Sequence, residues 1–186
     1  MSSDSLVNMM EKYREDYYQT NKKNTFFKNN QKLYCAKGMT QTFNINEMIK
    51  QTVYRLPGSN KVIFNYPIFK LYAHPDNFEM IIQSVLNVYD EILLDYLTFE
   101  AHVILEGFTI SAAERYKTAI QMFSNKCMNS STKYSQLTTA MYIYYTPSMI
   151  ESISAFLRPF IDTNVYERII MYSKTESVER IQTLFR

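Results

Sequence analysis

Hydrophobic and polar positions along the chain follow two spacings, one typical of helices and one typical of strands. Apolar side chains recur three and four residues apart, as on one face of a helix, over residues 4–17, 46–54, 76–95, 111–123 and 174–185. Short apolar runs predict strands over residues 61–66, 98–105, 140–145 and 169–173. Helices and strands alternate from residue 60 onward, which predicts the α/β class, with a mostly parallel sheet of four to five strands and helices lying across it.

A further helix is predicted over residues 146–157, directly after the third strand. Thr146 fits the N-cap position, where its side chain can accept a free amide, and Pro147 fits the first helical position because it has no amide to satisfy. The helix carries an apolar stripe formed by Met149, Ile150, Ile153, Phe156 and Leu157. Such a stripe must cover an apolar surface, which is either the sheet itself or the wall of a cavity.

The N-terminal part of the chain differs from the rest in charge and pattern. Residues 1–70 have a net charge of +6, whereas the remainder has −4. We therefore divide the chain into a short helical N-terminal region with a basic linker, residues 1–58, and a main domain, residues 59–186. A linker or loop is predicted over residues 20–32.

Within this linker, cationic side chains alternate with aromatic ones. The residues concerned are Lys22, Lys23, Phe26, Phe27 and Lys28. This mixture suits transient contact with the anionic headgroups of a membrane. The alternative is an ordinary solvated loop.

Few residues are suited to catalysis. Glycine occurs only at positions 38, 58 and 107, so neither a phosphate-binding loop nor a dinucleotide-binding turn can form. The two histidines, His74 and His102, lack the spacing of a zinc motif. We therefore expect a protein that is not an enzyme and that uses no cofactor or metal. The net charge of +2 gives no reason to expect a nucleic-acid partner.

Composition also bears on location and source. No apolar run reaches the roughly 18–20 residues that span a bilayer, and the first residues carry no targeting pattern. Cys35 and Cys127 are isolated, as is usual in a reducing compartment. We therefore expect a soluble cytoplasmic protein that is peripheral at membranes. Many Asn, Lys, Ile, Tyr and Phe residues and no Trp indicate an A/T-rich genome, such as that of a large DNA virus or a parasitic protist.

Short segments at residues 105–108, 134–136, 142–147, 158–162 and 168–169 follow one another in a familiar order. In these segments and their order, residues 60–186 resemble the CRAL-TRIO family of lipid-binding proteins. The most specific is the Arg-Pro-Phe-Ile-Asp segment, which lies at the family's distance from Thr146 and Pro147.

The resemblance implies an apolar cavity above the sheet that is closed by a gate helix. Its implied acyl-chain contacts are Tyr142, Tyr144, Met149, Ile153, Phe156, Leu157 and Phe160. The headgroup positions of the phosphatidylinositol-binding members fall on Gln136 and Arg168, where glutamine replaces the family's glutamate. The implied function is the binding of a phospholipid, a phosphoinositide or another hydrophobic ligand for lipid transfer or sensing.

The alternative is a cavity-poor domain of the same fold that binds a protein partner instead of exchanging lipid. The short N-terminal region resembles the CRAL-TRIO modules of Rho-regulating scaffold proteins. In addition, Phe99, Tyr142 and Tyr144 are bulky enough to fill a cavity from the side of the sheet. The sequence leaves both functions open.

Overall fold

The computed structural model describes residues 3–22 and 28–186 of the chain. The strands are β1 (Val53–Arg55), β2 (Lys61–Asn65), β3 (Phe99–Ile104), β4 (Thr138–Tyr144) and β5 (Ile169–Met171). The helices are α1 (Ser3–Thr20), α2 (Lys28–Thr42), α3 (Ile45–Thr52), α4 (Tyr66–Tyr72), α5 (Phe78–Asp95), α6 (Ile110–Asn129), α7 (Tyr134–Leu137), α8 (Ile150–Leu157), α9 (Thr163–Tyr166) and α10 (Lys174–Leu184). Single turns of 3-10 helix occur at Pro75–Asn77 and Arg158–Phe160.

The strands form one sheet in the order β1-β2-β3-β4-β5. β1 is antiparallel to β2, and the other neighbours are parallel. Each parallel connection advances by one strand in the same direction. Because such connections are right-handed, the helices between β2 and β5 lie on one face of the sheet. α10 packs on β4 from the other face. The predicted α/β class with a mostly parallel sheet is confirmed.

The short helices α4, α7 and α9 were not predicted from the sequence, and β1 and α2 also differ from the prediction. The helix predicted over residues 46–54 ends at Thr52, and β1 follows and pairs with β2. A strand of three residues is too short to show the alternation by which strands are recognised. Helix α2 begins inside the predicted loop, at Lys28. The apolar residues of α2 are not gathered on one side, so the sequence lacks the usual helical signal there.

The N-terminal helices pack on α4 and share the main hydrophobic core. Each contributes a fully buried methionine: Met10, Met39 and Met48. α1 and α2 approach closely at Gly38. A side chain at this position would collide with the Tyr13 hydroxyl. Residue 58 lies in the turn that joins β1 to β2.

Candidate functional site

A cavity of about 320 Å³ lies between the sheet and helices α5, α6 and α8. Its volume is at the lower end of the range of about 300–1,000 Å³ that is typical of small-molecule sites. All the strands contribute to its lining, which is almost wholly apolar. An apolar cavity of this kind suits a hydrocarbon group better than a polar metabolite.

The floor of the cavity is formed by the strand side chains that point toward these helices. On β4 they are Met141 and Ile143. Because side chains alternate along a strand, Tyr142 and Tyr144 point to the opposite face. Tyr144 is buried there in the cluster covered by α10. The predicted placement of Tyr142 and Tyr144 on the cavity floor is therefore wrong by one residue in the strand alternation.

The error has a physical cause. Residues 141–145 are all apolar or aromatic, since both faces of β4 are covered, and no polar residue marks which side faces the cavity. Phe99 also does not line the cavity but stacks on Tyr89, with 4.3 Å between ring centroids. Of the bulky residues that were expected to fill a cavity from the sheet, Tyr142 and Tyr144 therefore lie on the opposite face, and Phe99 packs against α5 beside the cavity.

Residues 150–166 form one wall of the cavity, which we call the α8 wall. It consists of α8, the turn Arg158–Phe160 and α9. Ile153, Leu157 and Phe160 all line the cavity, and Ile153 is only 2% exposed.

The α8 wall begins later than predicted. Pro147 lies in a turn, in which its carbonyl accepts a hydrogen bond of 3.1 Å from the Ile150 amide. Met149 is the N-cap of α8. Tyr145, just before this turn, has a left-handed backbone with φ of 56°. This kink separates the strand from the helix. Met149 is 54% exposed and lies outside the cavity lining, so its predicted contact with an acyl chain is not supported.

Phe156 lies where α8 meets α6 and does not line the cavity. Its ring packs edge-on against Phe160, with 6.5 Å between centroids. The Lys117 ammonium of α6 lies 5.6 Å from the Phe156 centroid and 5.2 Å from the Phe160 centroid. A cation at these distances is attracted to the faces of both rings, so Lys117 stabilises the contact between the α8 wall and α6.

The polar groups in the lining are neutral or already paired. Burial raises the pKa of the Cys127 thiol to about 12, so it stays protonated at neutral pH. Burial likewise raises the pKa of the Tyr89 phenol. The Asp162 carboxylate accepts a hydrogen bond of 2.8 Å from the Asn164 amide at the start of α9. Among the described residues, no cluster of His, Cys, Asp and Glu could hold a metal ion.

Gln136 and Arg168 are close in space, but their side chains do not form a joint site. One Arg168 guanidinium nitrogen donates to the carbonyls of Thr138 at 2.6 Å, Gln136 at 3.2 Å and Ser135 at 3.4 Å. The Gln136 side chain is exposed. Arg168 thus neutralises carbonyl dipoles at the end of α7, and its role in headgroup binding stays a prediction.

The predicted membrane-contact residues fall mainly outside the described part of the chain. Lys22 is exposed at the end of the first described segment. Lys23, Phe26 and Phe27 lie outside the described residues, and Lys28 is described only as the first residue of α2. None of the helices within residues 3–22 and 28–186 is long and apolar enough to cross a bilayer.

Several lining residues were recognised in the sequence as helix faces but were not assigned to the site. Ile82 and Val85 of α5 and Ile120 and Phe123 of α6 line the cavity opposite the sheet. The one-sided apolar faces of these helices were the available signal. The handedness of the connections would have placed both faces over the same side of the sheet.

Comparisons with known proteins support the fold alone. No family model matches the sequence, and a comparison with curated proteins found no match. Nineteen chains of solved structures match the fold, and one of them is in the crystal structure of Sfh5, a yeast protein with the CRAL-TRIO fold. The TM-score is 0.52 at 12% sequence identity, and the match covers 90% of this chain. The chain spans about 65% of the Sfh5 chain. The architecture of this chain is therefore CRAL-TRIO-like.

Proposed function

We propose that this protein binds a hydrophobic ligand, a phospholipid or phosphoinositide, beneath the α8 wall and that it serves lipid transfer or sensing. The observation that carries the proposal is the apolar cavity of about 320 Å³. We further propose that the protein works in the cytoplasm and contacts membranes transiently through the basic linker.

The energetics suit exchange without a chemical step. An acyl chain of about 16 methylenes gains roughly 13 kcal/mol on leaving water, at about 0.8 kcal/mol each. The same chain is equally shielded from water in a bilayer, so the free energy of its transfer between membrane and cavity is close to zero. Closing the wall over Ile153, Leu157 and Phe160 contributes about 1.5–3 kcal/mol for each buried side chain. Because the cavity is small for its class, a lipid with two chains requires outward movement of the wall.

A scaffold without lipid exchange is the less favoured function. That function required the sheet to fill the space under α8. Phe99, Tyr142 and Tyr144 were the residues expected to do so, and they lie outside the cavity.

Native mass spectrometry tests the proposal. The protein is incubated with phosphatidylcholine vesicles and separated from them gently, and we expect a mass increase equal to one lipid. A bare mass after this treatment would contradict lipid binding.

A cavity-filling variant links the uptake to this site. Ser154 lines the cavity, whereas Ser152 of the same helix is exposed. Ser154→Trp should lower lipid uptake several-fold because the indole takes the place of the ligand. Ser152→Trp adds the same side chain on the solvent side and should retain the uptake. Equal uptake by both variants would place the ligand elsewhere.

A further inference from the structure

Three cationic side chains lie near the neighbouring Tyr66 and Tyr116 rings of α4 and α6: Lys70 and Arg115 lie against these rings, and Arg14 of α1 is close enough to Lys70 to lower its pKa. We call Arg14, Lys70 and Arg115 the cationic cluster. The Lys70 ammonium lies 5.6 Å from the centroid of the Tyr66 ring, and the Arg115 guanidinium lies 5.6 Å from that of Tyr116. Lys70 also lies against the loop after β3, since a Cβ built on Gly107 would be 3.3 Å from its Nζ.

The cluster holds more positive charge than its paired carboxylates neutralise. Arg14 pairs with Glu11 at 2.6 Å. Lys70 has no ion pair among the described residues. Arg115 donates to the neutral Asn29 amide oxygen at 3.1 Å and also hydrogen-bonds the Tyr116 phenol, and its buried Nε has no partner among the described residues.

Electrostatics at Lys70 agree with this shortage of negative charge. Burial, followed by the nearby Arg14 charge, lowers the pKa of Lys70, and Glu11 and Glu106 oppose the shift. A partly buried cation beside another cation raises the free energy of the folded protein. An anion placed between them would relieve both desolvation and repulsion.

The cationic cluster borders one end of the cavity. Tyr66 and Tyr116 line the cavity, with 6.2 Å between their ring centroids, and they are also the rings against which Lys70 and Arg115 lie. These two rings therefore border both the apolar cavity and the positive charges of Lys70 and Arg115. Arg168 lies elsewhere, against α7.

We propose that the cationic cluster binds an oxyanion, a carboxylate or a phosphate, with Lys70 as its main contact and with Arg14 and Arg115 adding positive charge. Resting on the proposed function, the proposal makes the ligand an anionic amphiphile whose chain occupies the cavity and whose charged group lies against the cluster. The same chemistry would also accept free phosphate.

Two ligands that differ in their charged group test this proposal. Oleate and oleyl alcohol carry the same chain, but only oleate is an anion. We expect the wild-type protein to bind oleate roughly tenfold more tightly. Lys70→Met and Arg115→Gln should remove this preference and leave the affinity for oleyl alcohol unchanged. Lys50→Met removes an exposed lysine that is paired with Glu47 and should keep the preference.

The outcomes separate this proposal from the proposed function. Equal affinity for both ligands would overturn the headgroup assignment while leaving lipid binding intact, and binding of neither would overturn lipid binding itself. Inorganic phosphate is tested in parallel by its effect on the melting temperature. A phosphate shift that Lys70→Met abolishes, without any preference for oleate, would assign the cluster to a free anion. No phosphate shift and no oleate preference would overturn the oxyanion site.

Discussion

Tyr144 and His102 share a hydrogen bond of 2.8 Å between the phenol oxygen and the imidazole Nδ1 on the face of the sheet covered by α10. Both side chains are buried. The other imidazole nitrogen lies 3.4 Å from the Glu100 carboxylate. Tyr144 takes no part in the cavity lining, and the His102 ring stacks on Tyr142 and Tyr144 on this opposite face, although residue His102 borders the cavity. The hydrogen-bonded side chains therefore belong to the scaffold that holds the site in place.

Tyr144→Phe should therefore lower stability without changing ligand binding. The substitution removes one partner of a buried hydrogen bond, which typically costs about 1–3 kcal/mol. Urea unfolding measures this cost. Tyr142→Phe, on the neighbouring half-buried ring, serves as the control and should stay within about 0.5 kcal/mol of the wild type. An equal loss in both variants would show that the His102 contact contributes nothing.

Stability should fall as the pH drops below about 6.5. Burial lowers the pKa of His102 and of His74 from the usual value of 6.5. The unfolded chain therefore takes up protons at a higher pH than the folded protein, and acidification favours unfolding. The contribution of these two histidines to stability is fully present above pH 6.5 and is lost as the pH falls toward their lower pKa values in the folded protein.

Denaturant unfolding between pH about 7 and 5 checks this expectation. Replacement of both His102 and His74 by Gln should flatten the pH dependence in this window, although stability itself will fall. The carboxylates with lowered pKa values, Asp76 and Glu176, titrate at lower pH. An unchanged slope in the double variant would show that other groups carry the effect.

Loss of the Lys117 ammonium should speed ligand exchange. Lys117→Met keeps the length of the side chain but removes the attraction to the rings of Phe156 and Phe160. An interaction of about 0.5–1 kcal/mol corresponds to a roughly two- to fivefold faster release. Stopped-flow release of a fluorescent fatty acid measures it. Lys126→Met removes another lysine of α6, one that is paired with Glu79 of α5, and should leave the rate unchanged.

Arg168 should matter for stability more than Gln136 does. Its guanidinium donates to three carbonyls, so Arg168→Met leaves the end of α7 without its charged donor. Hydrogen bonds to charged groups contribute about 1.5–3 kcal/mol, and the partial exposure of this one favours the lower value. Gln136→Ala changes an exposed side chain and should be close to neutral. Thermal and urea unfolding of the two variants test the difference.

The effect of Gly38→Ala should depend on the residue at position 13. In the wild type the new methyl group collides with the Tyr13 hydroxyl, so the Tyr13 side chain must shift, and this offsets part or all of the gain in helix propensity. In a Tyr13→Phe background the collision is absent. Alanine then stabilises α2 by up to about 1 kcal/mol through its helix propensity. A double-mutant cycle in urea would reveal additive effects if the contact were unimportant.

The order of the main elements could be predicted from the sequence because their periodicity is strong. The apolar face of α5 was readable, and the four predicted strand segments coincide with β2, β3, β4 and β5. β1 was missed because it directly follows α3 and was included in the helix predicted over residues 46–54, and α2 was missed because it lacks a one-sided apolar pattern. The short helices α4, α7 and α9 were not predicted either. In these elements, contacts with the rest of the fold decide the conformation.

The site was less predictable than the fold. Ile153, Leu157 and Phe160 were found through the stripe on α8 and the resemblance in residues 158–162. Tyr142 and Tyr144 were misplaced since a strand covered on both faces shows no polar alternation. The cationic cluster draws its members from three distant parts of the chain, and no local spacing brings them together.

The connection between β4 and β5 gives the α8 wall a particular mechanical position. β5 has three residues and is paired in the sheet only with β4. A displacement of the α8 wall, which precedes β5, would therefore break few hydrogen bonds, because β5 is a short strand at the edge of the sheet. The central strands β2 and β3 are each paired on both sides, so their register does not depend on β5.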